Sequence, residues 1–159
     1  DAIKLISKET NFMYKMNYMY YMFSPIFSLV LILMMWLIYM FWSNYLVMKM
    51  GLLYLMCCFS LGVYGMLVAG WSSNSSYSLI GSIRSLAQSI SYEVSLAIIL
   101  IIPMFLVSSF NFMNLLILQN MGIWFMIYMW PLGMLFLFSI MAELNRTPFD
   151  FSEGESELV

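Results

Sequence analysis

Four long apolar stretches alternate with short polar segments along this chain. They run over about 22–42, 52–71, 83–107 and 115–141. Each has the roughly 20 residues that a helix needs to cross the hydrocarbon core of a membrane. Lipid offers no partners to the backbone groups of an open strand, so each stretch is predicted to be a helix. The pattern therefore predicts an all-α integral membrane protein, with about four transmembrane helices in a single domain over 1–159.

Composition strengthens this prediction and excludes several classes of function. The chain is 64% hydrophobic and only 9% charged, whereas soluble domains carry about 25% charged residues. A lipid membrane is therefore the predicted surrounding, and without a basic patch no nucleic acid is predicted to bind. The chain has no His, and its two Cys residues, Cys57 and Cys58, are adjacent. A zinc or iron–sulfur site needs more such ligands, so no bound metal is predicted.

The basic residues indicate the orientation in the membrane. With four spans, residues 1–21, the loop 72–82 and the tail 142–159 share one side. Five of the six Lys and Arg residues lie on or next to that side. The positive-inside rule places it in the cytoplasm, or in the matrix of a mitochondrion.

The first half of the third stretch carries two polar strips. At about 100° per residue, one strip contains Arg84, Gln88, Ser91 and Ser95, and the other contains Ser82, Ser89 and Glu93. Such a half-helix is predicted to line a cavity or another helix. Arg84 and Glu93 lie on nearly opposite faces and are predicted not to pair directly. A carboxylate at membrane depth marks a functional site by default; the alternative is that both residues lie at the membrane interface.

A dense acidic segment follows the last stretch. Residues 94–142 contain no charged residue, and 142–159 then contain Glu143, Arg146, Asp150, Glu153, Glu155 and Glu157. Carboxylates shielded from water raise one another's pKa and titrate together, which suits a proton relay; the alternative is a solvated acidic loop. Thr147 and Pro148 predict a helix start. Without a His for a catalytic triad or a phosphate-binding loop, the chain alone is predicted not to catalyse a bond-breaking reaction.

Three segments together resemble one family. They are residues 1–9, the stretch from Gly70 through Arg84 to Glu93, and the tail 143–159. They are similar, in order, to segments of the NADH–ubiquinone oxidoreductase chain 1 family, the quinone-facing membrane subunit of respiratory complex I. The chain has Glu-Leu-Asn-Arg at 143–146, where that family usually has Glu-Thr-Asn-Arg. The resemblance covers about half of a subunit that has about eight transmembrane helices.

The resemblance implies a core membrane subunit of the proton-pumping NADH:ubiquinone oxidoreductase, which is an enzyme only as part of that complex. It implies proton coupling by Glu93, Glu143, Asp150, Glu153, Glu155 and Glu157, and quinone-chamber or charge-partner roles for Asp1, Lys4, Arg84 and Arg146. Ubiquinone would be the substrate, with no covalently bound cofactor. NADH, FMN and Fe–S clusters would bind to partner subunits.

The resemblance also implies partners and a location. The partners would be other complex I membrane subunits and the quinone-site subunits of the peripheral arm. The protein would cross the mitochondrial inner membrane several times, with the acidic loop on the matrix side. Two other functions stay open: an ion-coupled membrane transporter, and the membrane subunit of a related proton-pumping hydrogenase. Transporters often contain internal repeats, and none is visible here. A structural anchor would leave Glu93 and the acidic tail unexplained.

Overall fold

The chain folds into a series of helices joined by short connections. The computed structural model describes residues 2–8, 14–39, 48–120, 122 and 124–150. Its helices are α1 (Ala2–Ile6), α2 (Tyr18–Met35), α3 (Gly51–Ser72), α4 (Ser76–Val107), α5 (Phe112–Asn120), α6 (Phe125–Tyr128) and α7 (Trp130–Glu143). A 3₁₀ turn, Trp36–Ile38, extends α2. No strand occurs in these described ranges, so the predicted all-α class is confirmed there.

Three of the described helices are long and apolar enough to cross a membrane. They are α2 with its 3₁₀ turn, α3 and α4, with 21, 22 and 32 residues respectively. At 1.5 Å per residue, α4 is about 48 Å long, whereas the hydrocarbon core is about 30 Å thick. Part of α4 must therefore extend beyond the hydrocarbon or pack within the protein.

Small residues allow the long helices to pack closely. α3 packs against both α2 and α4, and α7 packs against α4. A Cβ at Gly65 of α3 would lie 3.7 Å from the Cβ of Ser28 on α2. A Cβ at Gly70 would overlap the Ser82 side chain on α4 and lie 3.0 Å from the Ser78 carbonyl oxygen. Such close approach at small residues is typical of helix interfaces in membranes.

The connection between α3 and α4 also anchors the start of α2. The side chain of Ser75 caps α4. Asn74 has a φ of 56°, a left-handed conformation that Asn tolerates better than most residues. Its Nδ2 donates a hydrogen bond to the Lys15 carbonyl at 3.1 Å, and the Asn17 N–H donates to the Ser72 carbonyl at 2.9 Å. The start of α2, the end of α3 and the start of α4 therefore lie together.

The fourth apolar stretch, 115–141, is built from several helical pieces. α5 covers its beginning, and α6 and α7 follow. Pro131 lies in the first turn of α7, where its missing N–H removes no hydrogen bond because the first N–H groups of a helix have no partner within it. The boundaries of the membrane spans remain predictions.

We predict that Gly70→Ala destabilises the packed helices and that Gly62→Ala does not. The Cβ added at Gly70 forces α3 away from α4, and overpacking of this kind costs about 1–3 kcal/mol. At Gly62 no heavy atom lies within 4 Å of the added Cβ, and Ala favours a helix over Gly by roughly 1 kcal/mol. Thermal unfolding in detergent, followed by circular dichroism, measures both effects. Equal midpoints for the two variants would contradict the close approach at Gly70.

Candidate functional site

The buried face of the first half of α4 is polar. Its buried residues are Gly81, Ser82, Ser85, Gln88 and Ser89. This face lies between the two strips predicted from the sequence: it includes Gln88 from the first strip but leaves Arg84, from the same strip, exposed. The apolar residues Ile83 and Ile90 are exposed, at 53% and 50% of their surface. The polar residues of this buried face thus pack against protein, whereas Arg84 and Ser91 of the first predicted strip are exposed. An apolar side of the half-helix also faces outward.

The buried serines of α4 satisfy their hydroxyl groups within their own helix. Ser82 donates to Leu79, Ser85 to Ser82 and Ser89 to Leu86, all through carbonyl oxygens at 2.9–3.0 Å. These side chains are short and can be buried without a partner on another helix. They make a compact polar surface that allows neighbouring backbones to approach.

Gln88 links α4 to the end of α7. Its side chain is buried, with the residue 7% exposed. The amide Nε2 donates to the Ala142 carbonyl and to the Phe149 carbonyl, both at 2.8 Å. Carbonyl oxygens only accept hydrogen bonds, so the amide nitrogen rather than the amide oxygen must face them. One side chain therefore fastens both ends of the segment 142–149 to α4.

A left-handed residue closes the end of α7. Asn145 has a φ of 48°. Its N–H donates to the Ala142 carbonyl at 3.2 Å, and the Arg146 N–H donates to the Met141 carbonyl at 3.0 Å. This pair of bonds is the Schellman cap, in which a left-handed Gly or Asn satisfies the last carbonyls of a helix. The cap reverses the chain so that the following residues return towards α4.

Residues 146–149 form a turn and Asp150 is not helical, so the helix start predicted at Thr147 is wrong. The Phe149 N–H donates to the Arg146 carbonyl at 2.7 Å, and the Thr147–Pro148 peptide bond is cis. The Phe149 ring lies edge-on to Tyr92 of α4, with ring centroids 5.4 Å apart. Such a pair adds about 0.5–1.5 kcal/mol beyond its buried area. Contacts with α4 thus outweigh the local preference for a helix.

One carboxyl group acts on the charge of another at this junction. Glu143 is the last residue of α7, beyond the predicted span, and Glu93 lies on α4, five residues after Gln88. Both are half-buried. Burial, and then the negative charge of Glu93, raise the pKa of Glu143 from 4.5 to about 6. The proton on Glu143 therefore favours the packed junction, and this contribution is lost as the pH rises from 4.5 through about 6.

Among the described residues, three buried side-chain oxygen atoms on α4, at the end of α7 and in the cap that follows it have no hydrogen-bond partner. They are Gln88 Oε1, Glu143 Oε2 and Asn145 Oδ1. A buried acceptor without a donor is unfavourable. Amide oxygens and ionised carboxylates can only accept, whereas a protonated carboxyl group can donate. Protonation would turn the Glu143 carboxyl group into a possible donor.

Of the other predicted site residues, four lie in the described ranges and four lie outside them. Arg84, Arg146 and Lys4 are exposed, and Asp150 is half-buried. Since α4 is unbroken, Arg84 and Glu93 lie roughly 13 Å apart along its axis, on opposite faces. The placement of four residues remains a prediction because they lie outside the described ranges: Asp1, Glu153, Glu155 and Glu157.

Two residues of the junction, Gln88 and Asn145, were not among the predicted site residues. Each has a signal in the sequence. Gln88 is the one amide side chain in α4. Asn145 follows the end of an apolar helix, where Asn frequently adopts the left-handed conformation.

A separate apolar cavity lies towards the other end of α4. Its volume is about 300 Å³, and its lining includes Ile99, Leu100 and Pro103 of α4, with Gln119 of α5. Ile99 lies six residues beyond Glu93, or roughly 9 Å along the helix. The cavity therefore does not belong to the carboxyl junction.

Comparison with known proteins gives a consistent result over the whole chain. Residues 1–159 match the profile of a family described as NADH dehydrogenase. The chain belongs to the NADH dehydrogenase family. It is 50% identical over 159 residues to the NADH-ubiquinone oxidoreductase chain 1 of Anopheles gambiae and to that of Aedes aegypti, and 46% identical to that of Rhipicephalus sanguineus. Each match covers 100% of this chain and 50% of the relative, so the chain spans about half the length of these curated relatives.

This result confirms the resemblance predicted from the three sequence segments. It also shows that the carboxyl junction belongs to a chain of the NADH dehydrogenase family. Within this family chain, α7 packs against α4, and the charge of Glu93 acts on Glu143.

We predict that Glu143 of this NADH dehydrogenase chain titrates near pH 6 and that Glu93→Gln lowers its pKa. Removing the neighbouring negative charge makes ionisation of Glu143 easier, while burial still keeps its pKa above 4.5. Infrared difference spectroscopy follows the C=O band of the protonated carboxyl group, which Glu143→Gln assigns. Ser91→Ala is the control, because the Ser91 hydroxyl donates within α4. An unchanged midpoint in Glu93→Gln would contradict the coupling.

Proposed function

We propose that this chain is part of the quinone-facing membrane subunit of a proton-pumping NADH:ubiquinone oxidoreductase in the mitochondrial inner membrane. The relatives named NADH-ubiquinone oxidoreductase chain 1 support this assignment, and so do the three membrane-length apolar helices. The chain acts as an enzyme only within the complex. Its substrate is ubiquinone, and it holds no covalently bound cofactor.

The proposed complex supplies the remaining redox groups from other subunits. NADH, FMN and Fe–S clusters bind to partner subunits. The partners in contact with this chain are other membrane subunits and the quinone-site subunits of the peripheral arm. In this arrangement the acidic loop 142–159 faces the matrix and forms part of the ubiquinone chamber.

One observation carries the proposed role in proton coupling: the Glu143–Glu93 pair at the junction of α7 and α4. The charge of Glu93 acts on Glu143. The pKa of Glu143, about 6, lies in the range where a carboxyl group both takes up and releases protons near neutral pH. A change of about 1.4 kcal/mol in the free energy of ionisation shifts a pKa by one unit. A modest change of charge nearby therefore changes the protonation of this pair.

The proposed mechanism uses the pair as the entry point of a proton path. Quinone reduction takes up protons and changes the charge that nearby carboxylates experience. Loop carboxylates pass this change to Glu143, which exchanges its proton with Glu93 on α4; these loop residues are Asp150, Glu153, Glu155 and Glu157. α4 then carries the effect into the membrane, towards the partner subunits that translocate protons.

The basic residues have supporting roles in this proposal. Arg84 and Arg146 are exposed, and in this proposal their positive charges attract the loop carboxylates. Asp1 and Lys4 contribute to the floor of the quinone chamber.

We predict that Glu143→Gln, in the assembled complex, lowers quinone-dependent NADH oxidation and proton pumping by about tenfold or more, since loss of a positioned proton-exchanging group commonly costs that much. NADH oxidation by a soluble artificial acceptor should be unchanged, because that reaction does not reach the membrane subunit. Glu9→Gln, which removes a carboxylate that has no proposed role, is the matched control. Full quinone reduction with full pumping in Glu143→Gln would contradict the proposal.

The acidic loop has its own test. With Glu155 and Glu157 both changed to Gln, we predict loss of quinone-dependent activity in a fully assembled complex that retains its artificial-acceptor activity. Unchanged quinone reduction and pumping would mean that this part of the tail is a solvated loop. Sodium transport without quinone would instead support an ion-coupled transporter.

A further inference from the structure

Gln88 has a geometric role that the proposed proton path does not include. We infer that Gln88 is a positioning residue, which fastens the segment 142–149 to α4 and thereby keeps Glu143 beside Glu93. The effect on proton coupling rests on the proposed function, whereas the fastening itself can be measured independently of it.

The hydrogen bonds of Gln88 are arranged as a clamp. A primary amide nitrogen has two N–H groups, and in Gln88 they serve one carbonyl in α7 and one in the turn, both at 2.8 Å. The neighbouring serines of α4 donate within their own helix and are too short to replace this bridge. Loss of the Gln88 amide would leave the Phe149 carbonyl without this donor and remove one of the donors to Ala142.

The clamped segment is stiff between its two attachment points. The cap at Asn145 fixes the end of α7, and the hydrogen bond from Phe149 to Arg146 closes the turn. The contact between the Phe149 and Tyr92 rings adds a third attachment to α4. Glu143 lies inside this segment, so its distance from Glu93 depends on how the whole segment sits against α4.

The protonation of Glu143 should therefore depend on Gln88. In the clamped state, burial and Glu93 raise the pKa of Glu143. Release of the segment would expose Glu143 to water and move it away from Glu93. The pKa of Glu143 would then return towards 4.5. The titratable and charged groups on the packed elements are Glu93, Arg84 and Tyr92 on α4, with Arg146 and Asp150 in the turn; Glu93 is the one whose charge acts on Glu143.

Amide hydrogen exchange in the assembled complex tests the clamp directly. Gln88→Met keeps the length of the side chain but removes its donors, and Gln88→Asn shortens the amide so that it cannot span both carbonyls. Each variant should speed exchange of the 144–149 amides by about fivefold or more, the factor expected for one lost hydrogen bond of ordinary strength. The milder Gln88→Asn serves if Gln88→Met fails to assemble. Ser91→Ala is the control, because the Ser91 hydroxyl donates to a carbonyl within α4 at 2.8 Å. In this variant the 144–149 amides should exchange at the same rate as in the unsubstituted protein.

The pH profile of quinone-dependent NADH oxidation then tests positioning. The part of this pH profile that reflects ionisation of Glu143 should move to lower pH in both Gln88 variants. It should stay in place in Ser91→Ala. Unchanged amide exchange would overturn the inference. Faster exchange with this part of the profile unshifted would also overturn it, because the turn would be released without affecting the pair. Failure of the proposed function appears separately, as full quinone reduction by Glu143→Gln.

Discussion

A helix bundle in lipid must satisfy its polar groups from within, because hydrocarbon provides no hydrogen-bond partner. In this chain the buried polar side chains of α4 meet this constraint in two ways, according to their length. The short serines donate back to their own helix and can lie against close neighbours, as Ser82 does at Gly70. The longer Gln88 reaches across to α7 and to the turn after it. The position of residues 142–149 against α4 follows from that bridge.

The same bridge creates the environment of the carboxyl pair. Glu143 is held at a helix end whose nearby buried oxygens are acceptors, and the charge of Glu93 adds to the effect of burial. Both effects favour the protonated form. The pKa of about 6 is therefore a property of the junction, and it depends on α7 staying packed against α4.

The location of the junction along α4 suits the proposed function. Gln88 lies about 18 Å from the first residue of the helix and Glu93 about 26 Å from it. Glu93 thus lies within a helix of membrane-spanning length, while Glu143 lies just beyond the predicted fourth span. In the proposed complex, this position connects chemistry at the matrix loop with translocation in the membrane.

The length and composition of the apolar stretches alone determined the all-α class, because the ability of a helix to cross lipid is a local property. Three short segments were enough to indicate the family. Helical periodicity placed Arg84 and Gln88 on one strip, but packing buried Gln88 and exposed Arg84, since periodicity does not say where a neighbouring helix lies. The local signal at Thr147 predicted a helix, and contacts of Phe149 with α4 made a turn instead. The meeting of Glu93 and Glu143, far apart in the chain, was decided only by the tertiary structure, because it depends on long-range packing between α4 and α7.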